Sequence, residues 1–254
     1  MLLAIDIGNT NIVLAVHDGK KWIADWRIFS DWKKTSDEYA LVIKNLFAHA
    51  GLAEGQIAQA VLCSVVPNLT RSFEKNIQNL FHIKPLVVSR LIETGLQKDT
   101  TPPEMGSDLL ANAAWAHHTH PAETCMVVDF GTALTFTTVD GKGRVLGAAI
   151  APGLVTAVNA LVSGTAQLPQ VQLSLPTTAL GLDSEQSIRA GIMYGYAGLV
   201  KELVERTEAE TGARLFVIAT GGLSASIAPL VGRINRLDPM HTLEGLRLFA
   251  SLNY

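Results

Sequence analysis

A short pattern that occurs twice constrains the fold of this chain more than any other feature. Residues 1–5 form an apolar run that leads into Asp6-Ile7-Gly8-Asn9-Thr10, and a second apolar run, residues 12–16, follows. Residues 125–128 lead in the same way into Asp129-Phe130-Gly131-Thr132-Ala133, and residues 134–139 follow. Each copy reads as a buried strand that ends in an aspartate, a glycine and a hydroxyl and turns into the next strand. A carboxylate at a tight glycine turn can hold a cation, while free backbone N–H groups and the hydroxyl can hold phosphate oxygens. One such turn in each half predicts two related lobes and a cleft between them that grips a nucleotide polyphosphate. Gly8 lets the backbone approach a phosphate where a Cβ would collide. Asn9 and Thr10 offer side-chain hydrogen bonds. Asp6 is placed to bind Mg²⁺ directly or through water, because Mg²⁺ keeps several waters and few carboxylates.

The 254 residues suffice for one large or two medium domains with a sizeable core. A chain that is 48% hydrophobic and 17% charged reads as compact rather than disordered. The net charge is −3 and the basic residues are scattered, in runs no longer than pairs such as Lys20-Lys21, which argues against a nucleic-acid surface. No apolar stretch reaches the ~18–20 residues of a membrane helix, so no membrane partner is expected. No basic segment precedes the first apolar run, which reads as a strand and not a signal peptide. Cys63 and Cys125 lie within apolar runs and read as small core residues rather than a disulfide or metal pair. The expected compartment is the cytoplasm. His117, His118 and His120 lack zinc-site spacing and read as a solvated helix end.

Residues 1–29 alternate apolar runs with turns at Gly8 and Asp18-Gly19, predicting an antiparallel meander of three strands. Thr35, with Glu38 three residues on, forms a capping box. Tyr39, Val42, Ile43, Leu46 and Phe47 mark the apolar stripe of the helix it opens. A strand at 60–66, a helix marked by Leu69, Phe73, Ile77 and Leu80, and a strand at 85–89 complete the first half. The second half repeats the scheme. Strands at 124–129, 134–139 and 145–151 include a hairpin turn at Asp140-Gly141-Lys142-Gly143. Helical residues 153–162 follow, then a long helix at 184–208 with Asp183 as N-cap, a strand at 214–219 and a closing helix at 242–252. Two copies of β-β-β-α-β-α-β predict an α/β protein with a duplicated ribonuclease-H-like (actin-like ATPase) fold. It has two lobes, residues 1–118 and 119–254, each a mixed five-stranded sheet with flanking helices.

Gly106-Ser107-Asp108 opens one further helix. As an ordinary cap, Ser107 or Asp108 would satisfy free N–H groups. As a functional group, Asp108 would be a general base that takes the proton from a substrate hydroxyl and faces the bound nucleotide. Thr220-Gly221-Gly222 after a strand matches an adenosine-binding turn of the same superfamily, or merely turns the chain. Glu244 and Arg247, at i and i+3, read as a surface ion pair.

In this order the segments resemble the type III pantothenate kinase family, enzymes of the first step of coenzyme A synthesis. The resemblance runs from residue 1 to about residue 252. It is carried by Asp6-Ile7-Gly8-Asn9-Thr10-Asn11, Pro103-Glu104-Met105-Gly106-Ser107-Asp108, Asp129-Phe130-Gly131-Thr132-Ala133 and Ala151-Pro152-Gly153. Thr165-Ala166-Gln167-Leu168-Pro169, residues 187–196, Ala219-Thr220-Gly221-Gly222 and Thr242-Leu243-Glu244-Gly245-Leu246 continue it. It implies ATP-dependent phosphorylation of the terminal hydroxyl of pantothenate, with Mg²⁺ and a monovalent cation, K⁺ or NH₄⁺. It also implies a homodimer whose interface helps shape the substrate pocket. The ATP phosphate loop would be Asp6, Ile7, Gly8, Asn9, Thr10, Asn11, Ile12 and Val13. Further ATP contacts would come from Thr132, Thr220, Gly221 and Gly222. Asp129 would be the monovalent-cation ligand and Asp108 the catalytic base. The substrate side falls to Gly106, Ser107, Asp108, Leu109 and Ser184, the last standing where the family usually has a threonine.

Two positions depart from the family pattern. Gly-x-Asp-Arg ends in Leu109 here, and leucine cannot pair with the pantothenate carboxylate; a charge-assisted partner of that kind is worth roughly 1.5–3 kcal/mol. Asp99 stands where the family has a tyrosine lining the pantothenate pocket, and it would repel a carboxylate. The ATP side is intact and the substrate side altered. Two alternatives therefore stand beside pantothenate phosphorylation: a catalytically impaired homologue with a nucleotide-binding, regulatory role, and a kinase of a different small hydroxylated substrate.

Overall fold

The apolar runs on either side of each Asp-Gly turn pair as antiparallel strands, and each pair seeds a sheet. In the computed structural model, which describes residues 1–254, the first sheet contains β1 (Leu2–Ile7), β2 (Asn11–His17), β3 (Trp22–Phe29), β4 (Gln59–Ser64) and β5 (Leu86–Val87). The second contains β6 (Thr124–Phe130), β7 (Ala133–Val139), β8 (Val145–Pro152), β9 (Leu215–Thr220) and β10 (Arg236–Leu237). Their strand orders, β3-β2-β1-β4-β5 and β8-β7-β6-β9-β10, are the same. In both, the first three strands form an antiparallel meander and the last two run parallel to its first strand. The predicted pair of mixed five-stranded sheets is present.

The helices are α1 (Ser36–His49), α2 (Pro67–Phe81), α3 (Ser107–Thr119), α4 (Leu154–Ser163), α5 (Ser184–Thr211), α6 (Ser224–Val231) and α7 (His241–Asn253). The capping box of α1 is formed: Thr35 accepts from the Glu38 N–H, and the Glu38 carboxylate accepts from the Thr35 N–H. Asp183 caps α5, accepting from the Gln186 N–H at 2.7 Å.

Two compact units result, residues 1–115 with 242–254, and residues 116–241. In the first, Leu3, Ile5 and Ile7 of β1 and Ile12 and Leu14 of β2 pack against Tyr39, Ile43 and Phe47 of α1 and Phe73 and Ile77 of α2. In the second, Met126, Val128, Phe130, Leu134 and Phe136 pack against Met193, Val200 and Val204 of α5 and Ile227 and Val231 of α6. Burying a large apolar side chain contributes roughly 1.5–3 kcal/mol, so each unit has a core of its own.

The unit boundary falls inside α3 rather than at 118/119, and α7, expected in the second lobe, groups with the first unit. Contacts of α7 explain the difference. A Cβ on Gly245 would collide with the Ala111 backbone, so α7 and α3 lie in close contact. Thr242 donates to Asn112 Oδ1 at 2.9 Å, and the Tyr254 hydroxyl donates to the Ala60 carbonyl at 2.9 Å. Glu244 and Arg247 are more than a surface ion pair. Glu244 also accepts from Trp22 Nε1 at 2.8 Å, and the Arg247 guanidinium lies over the Trp115 ring.

The histidines also differ from expectation. His118 is exposed, but His117 and His120 are half-buried, and His120 stacks on Phe216 with ring centres 4.1 Å apart. His117 Nδ1 and His120 Nε2 are buried without a protein partner. Cys63 and Cys125 are buried free thiols, as their apolar runs predict.

Candidate active site

In the first unit, Asp6 is the penultimate residue of β1, opposite Val13 on β2 and Cys63 on β4. The turn beyond it is tight. The Gly8 N–H donates to the Asn11 carbonyl at 2.9 Å, and a Cβ on Gly8 would stand 3.2 Å from that oxygen. Ser30, at the end of β3, fastens the turn through its N–H to the Thr10 carbonyl and its hydroxyl to the Gly8 carbonyl at 2.6 Å. Asn9 is exposed, while Gly8, Thr10, Asn11 and Val13 are half-buried. Ile7 and Ile12 are fully buried in the core, so only their backbone groups can serve a ligand.

Asp108 stands in the first turn of α3, and Ser107 holds that turn to β4. The Ser107 hydroxyl donates to the Ser64 carbonyl and accepts from the Ser64 N–H, both at 3.1 Å, and it also accepts from Cys63 Sγ at 3.2 Å. Those bonds leave it no free hydrogen for a substrate. Asp108 Oδ1 accepts from the Leu109 N–H at 2.9 Å, and a Cβ on residue 106 would stand 2.5 Å from that oxygen, so a larger residue there would displace the carboxylate. Burial pushes the Asp108 carboxyl up from its ordinary value, against the opposing pull of the Leu109 and Asp108 N–H groups. A carboxylate with raised proton affinity at a helix start has the properties of a general base. Burial, with Asp6 and Asp108 close by, pushes the Cys63 thiol well up, so it stays S–H. The structure thus brings both aspartates to one buried thiol. Leu109 is buried, and Asp99 is exposed.

In the second unit, Asp129 is the penultimate residue of β6, opposite Thr135 on β7 and Thr220 on β9, the positions that answer to those around Asp6. The turn is one residue shorter, with the Gly131 N–H donating to the Ala133 carbonyl at 3.2 Å. The Thr132 carbonyl accepts from the Gly153 N–H at 2.9 Å and the Thr156 hydroxyl at 2.7 Å, so the start of α4 sits on this turn. Gly221 has φ +88°, and a Cβ there would meet the Asp129 carboxylate and the Phe130 backbone. Thr220 is buried, Gly222 is exposed, and the pair Gly221-Gly222 leads into α6. Thr220 and Gly221 therefore stand against Asp129, with Thr132 in the turn that follows it and Gly222 next in the chain. Ser184 is elsewhere, exposed at the head of α5 on a largely apolar cavity of about 570 Å³ that Leu161, Leu168 and Leu182 also line.

The donors suit a hydrated divalent ion shared with phosphates. Asp6 supplies one carboxylate beside a tight turn, and no group of three or more His, Cys, Asp or Glu forms an all-protein cage. The sequence pattern singles out neither Ser30, Ser64 nor Thr156. Ser30 and Thr156 bond to backbone far away in sequence, and the Ser64 backbone bonds to the Ser107 hydroxyl, which no local spacing reveals.

The family model for type III pantothenate kinase matches residues 2–206. A type III pantothenate kinase of Moorella thermoacetica is 42% identical over the full length of both chains. One of Geobacter sulfurreducens is 44% identical over all of this chain and 99% of its own. Among solved structures, the activator of the 2-hydroxyisocaproyl-CoA dehydratase from Clostridium difficile with bound ADPNP matches with TM-score 0.56 at 18% identity. The match covers 99% of this chain and 92% of that one. Component A of the Acidaminococcus fermentans (R)-2-hydroxyglutaryl-CoA dehydratase matches with TM-score 0.52 at 15% identity, over 99% and 96%. These structural likenesses bear on the fold, which is that of the actin-like ATPases and sugar kinases.

Proposed function

This chain belongs to the type III pantothenate kinase family, and on that premise we propose which residues carry the ATP-dependent phosphorylation of pantothenate. The reaction moves the γ-phosphoryl group of ATP to the terminal hydroxyl and yields 4′-phosphopantothenate and ADP. Such transfers depend on positioning and charge neutralisation more than on covalent chemistry. Asp108 accepts the hydroxyl proton. The observation that carries this assignment is its half-buried carboxyl, with proton affinity raised by burial, packed over Gly106 at the start of α3.

Asp6 holds Mg²⁺, which when bound neutralises phosphate charge, while the backbone from Asp6 to Val13 with the Asn9 and Thr10 side chains receives the phosphates. Asp129 holds a monovalent cation, K⁺ or NH₄⁺. Thr132 contacts ATP, and Thr220, Gly221 and Gly222 receive the adenosine. Gly106, Leu109 and Ser184 contact pantothenate. Ser107 serves the same side by fixing Asp108, since its hydroxyl is engaged by β4. The active form is a homodimer in the cytoplasm. Exposed Ile150, Val155, Leu180 and Leu182 in the second unit support self-association, and two free buried thiols suit a reducing compartment. No helix is long and apolar enough to cross a membrane. No observation favours the regulatory or altered-substrate alternatives raised by Leu109 and Asp99.

The test is pantothenate-dependent ADP release with Mg²⁺ and K⁺, for the protein and for Asp108→Asn. Turnover that the substitution abolishes while ATP still binds is expected. Unchanged kcat in the variant removes Asp108 from the role, and no turnover by the unaltered protein with ATP bound returns the regulatory reading.

A further inference from the structure

Pantothenate carries its reacting hydroxyl at one end and a carboxylate at the other. The groups close to the proposed base are poorly suited to that carboxylate. Asp6 and Asp108 are themselves acidic, and Leu109 is buried and apolar. The cation that meets the substrate anion must lie elsewhere.

A cavity in the first unit has that chemistry. It measures about 200 Å³ and is lined by Arg90, Leu91, Thr94, Lys98, Thr101 and Leu110. Two cations, two hydroxyls and two leucines line it, and no acidic residue does. Leu110 belongs to the first turn of α3, two residues beyond Asp108, so the cavity and the base share one element. The other walls come from the connection between β5 and α3, which spans residues 88–106, and long connections of that kind are usually functional.

The donors in the cavity have spare capacity. Arg90 makes no ion pair. Lys98 meets Glu93 at 3.4 Å, but both are exposed, and such a pair contributes little and yields readily to a competing anion. Glu93 is already engaged by the Thr94 and Gly95 N–H groups through its other oxygen. Thr94 is only 4% exposed. Its hydroxyl accepts from the Leu96 N–H at 3.3 Å, which leaves the O–H to donate into the cavity. Asp99 is exposed and is not part of the lining.

We propose that this cavity is the carboxylate subsite for pantothenate, with Arg90 and Lys98 as the specificity-determining cations. A guanidinium takes a carboxylate through two parallel hydrogen bonds, with Lys98 and the Thr94 hydroxyl as further donors. Leu91 and Leu110 cover the methylene carbons next to the carboxylate. The ligand class is a small carboxylate on a short aliphatic arm. This inference rests on the pantothenate kinase reading above.

The experiment measures KM for pantothenate, for ATP, and for pantothenyl alcohol, in which the carboxylate is replaced by CH₂OH. It is run on the full-length protein and on Arg90→Ala, Lys98→Ala and Arg90→Lys. Arg90 and Lys98 are exposed, so their replacement leaves the core intact. Losing one charge-assisted partner should raise KM for pantothenate roughly ten-fold or more. KM for ATP and for the alcohol should stay unchanged, and Arg90→Lys should recover part of the loss. Unchanged KM for pantothenate, or an equal rise for acid and alcohol, overturns the subsite. If the unaltered protein does not turn over pantothenate, the kinase reading fails. Calorimetric binding of pantothenate to the same variants then decides the subsite separately: weakened binding on loss of Arg90 upholds it, and equal binding overturns it.

Discussion

Asp108 is a carboxylate in a place that favours its neutral form, and the proposed role as base needs its charged form. Burial raises its proton affinity. Between the ordinary carboxylate pKa and the raised folded one, the native state holds more proton than the unfolded state, so stability falls as pH rises through that window. Above the window the ionised group is a constant cost to the fold. Asp108→Asn removes that cost, so at neutral pH the variant should melt no lower than the parent while losing turnover, and the stability gap should close on acidification. Thermal melts across pH read this; a variant that melts lower at neutral pH contradicts it. The same shift sets the acid limb of kcat/KM above the range of an ordinary aspartate, and the limb should vanish with the residue. Ser107 offers a second test at this scale. Its removal leaves the half-buried Ser64 N–H and carbonyl without their partner, at up to roughly 1–3 kcal/mol. Ser107→Ala should lower kcat more than it raises KM for either substrate, because α3 loses its tie to β4, and Ser107→Thr should restore much of kcat. A KM effect alone would mean that the hydroxyl meets substrate after all.

The Asp-Gly elements were legible because each compresses a strand end, a turn and a strand start into ten residues. The turn geometry follows from local chain chemistry. The α1 cap and the N-cap of α5 were legible for the same reason. The elements α6 and β10 were not. Gly221, Gly222 and Pro229 within nine residues give no helix signal, yet Ile227 and Val231 are buried in the second core and hold a helix there. Both residues of β10 are exposed, so no alternation marks it; β9 alone makes it a strand. At Asp108 a cap and a base share one sequence signature, and only the fold shows that burial raises its proton affinity. The β9–α6 junction permits a controlled comparison. Gly221 and Gly19 both have positive φ, and a non-glycine residue there costs roughly 1–2 kcal/mol. Around Gly19 a Cβ meets nothing, whereas at Gly221 it meets Asp129 and Phe130. Gly19→Ala should therefore cost stability alone. Gly221→Ala should also weaken ATP binding and the response to K⁺, measured by nucleotide titration in K⁺ and in a large organic cation. Equal nucleotide affinity in the two variants would exclude the β9–α6 turn from the ATP site.

The whole molecule is a duplicated plan whose two copies share one topology. Both sheets keep one strand order, and both place an aspartate opposite the same two neighbouring strands. Both units leave large apolar side chains exposed, Phe29, Trp32, Leu41 and Leu91 among them in the first. Leu180 is 85% and Leu182 95% exposed, and Ile150, Val155 and Leu175 are also exposed. Scattered exposed leucines need no explanation, but Leu161, Leu168 and Leu182 also line the cavity that holds Ser184. A surface that is both apolar and contiguous with a proposed substrate residue is best covered by a second copy of the chain, which would supply the missing wall. The intact protein should then sediment at about twice its 27.2 kDa chain mass. Leu180→Glu combined with Leu182→Glu introduces charges that cannot be buried without a partner, and it should shift the equilibrium to a single chain. Neither residue belongs to a buried core, so the melting temperature of each unit's core should hold at high dilution. The monomeric form should bind ATP as before and show a raised KM for pantothenate. If it instead keeps full pantothenate affinity, the Ser184 cavity is complete within one chain and the dimer serves some other end; if the unaltered protein is already a monomer, this face is not a self-interface.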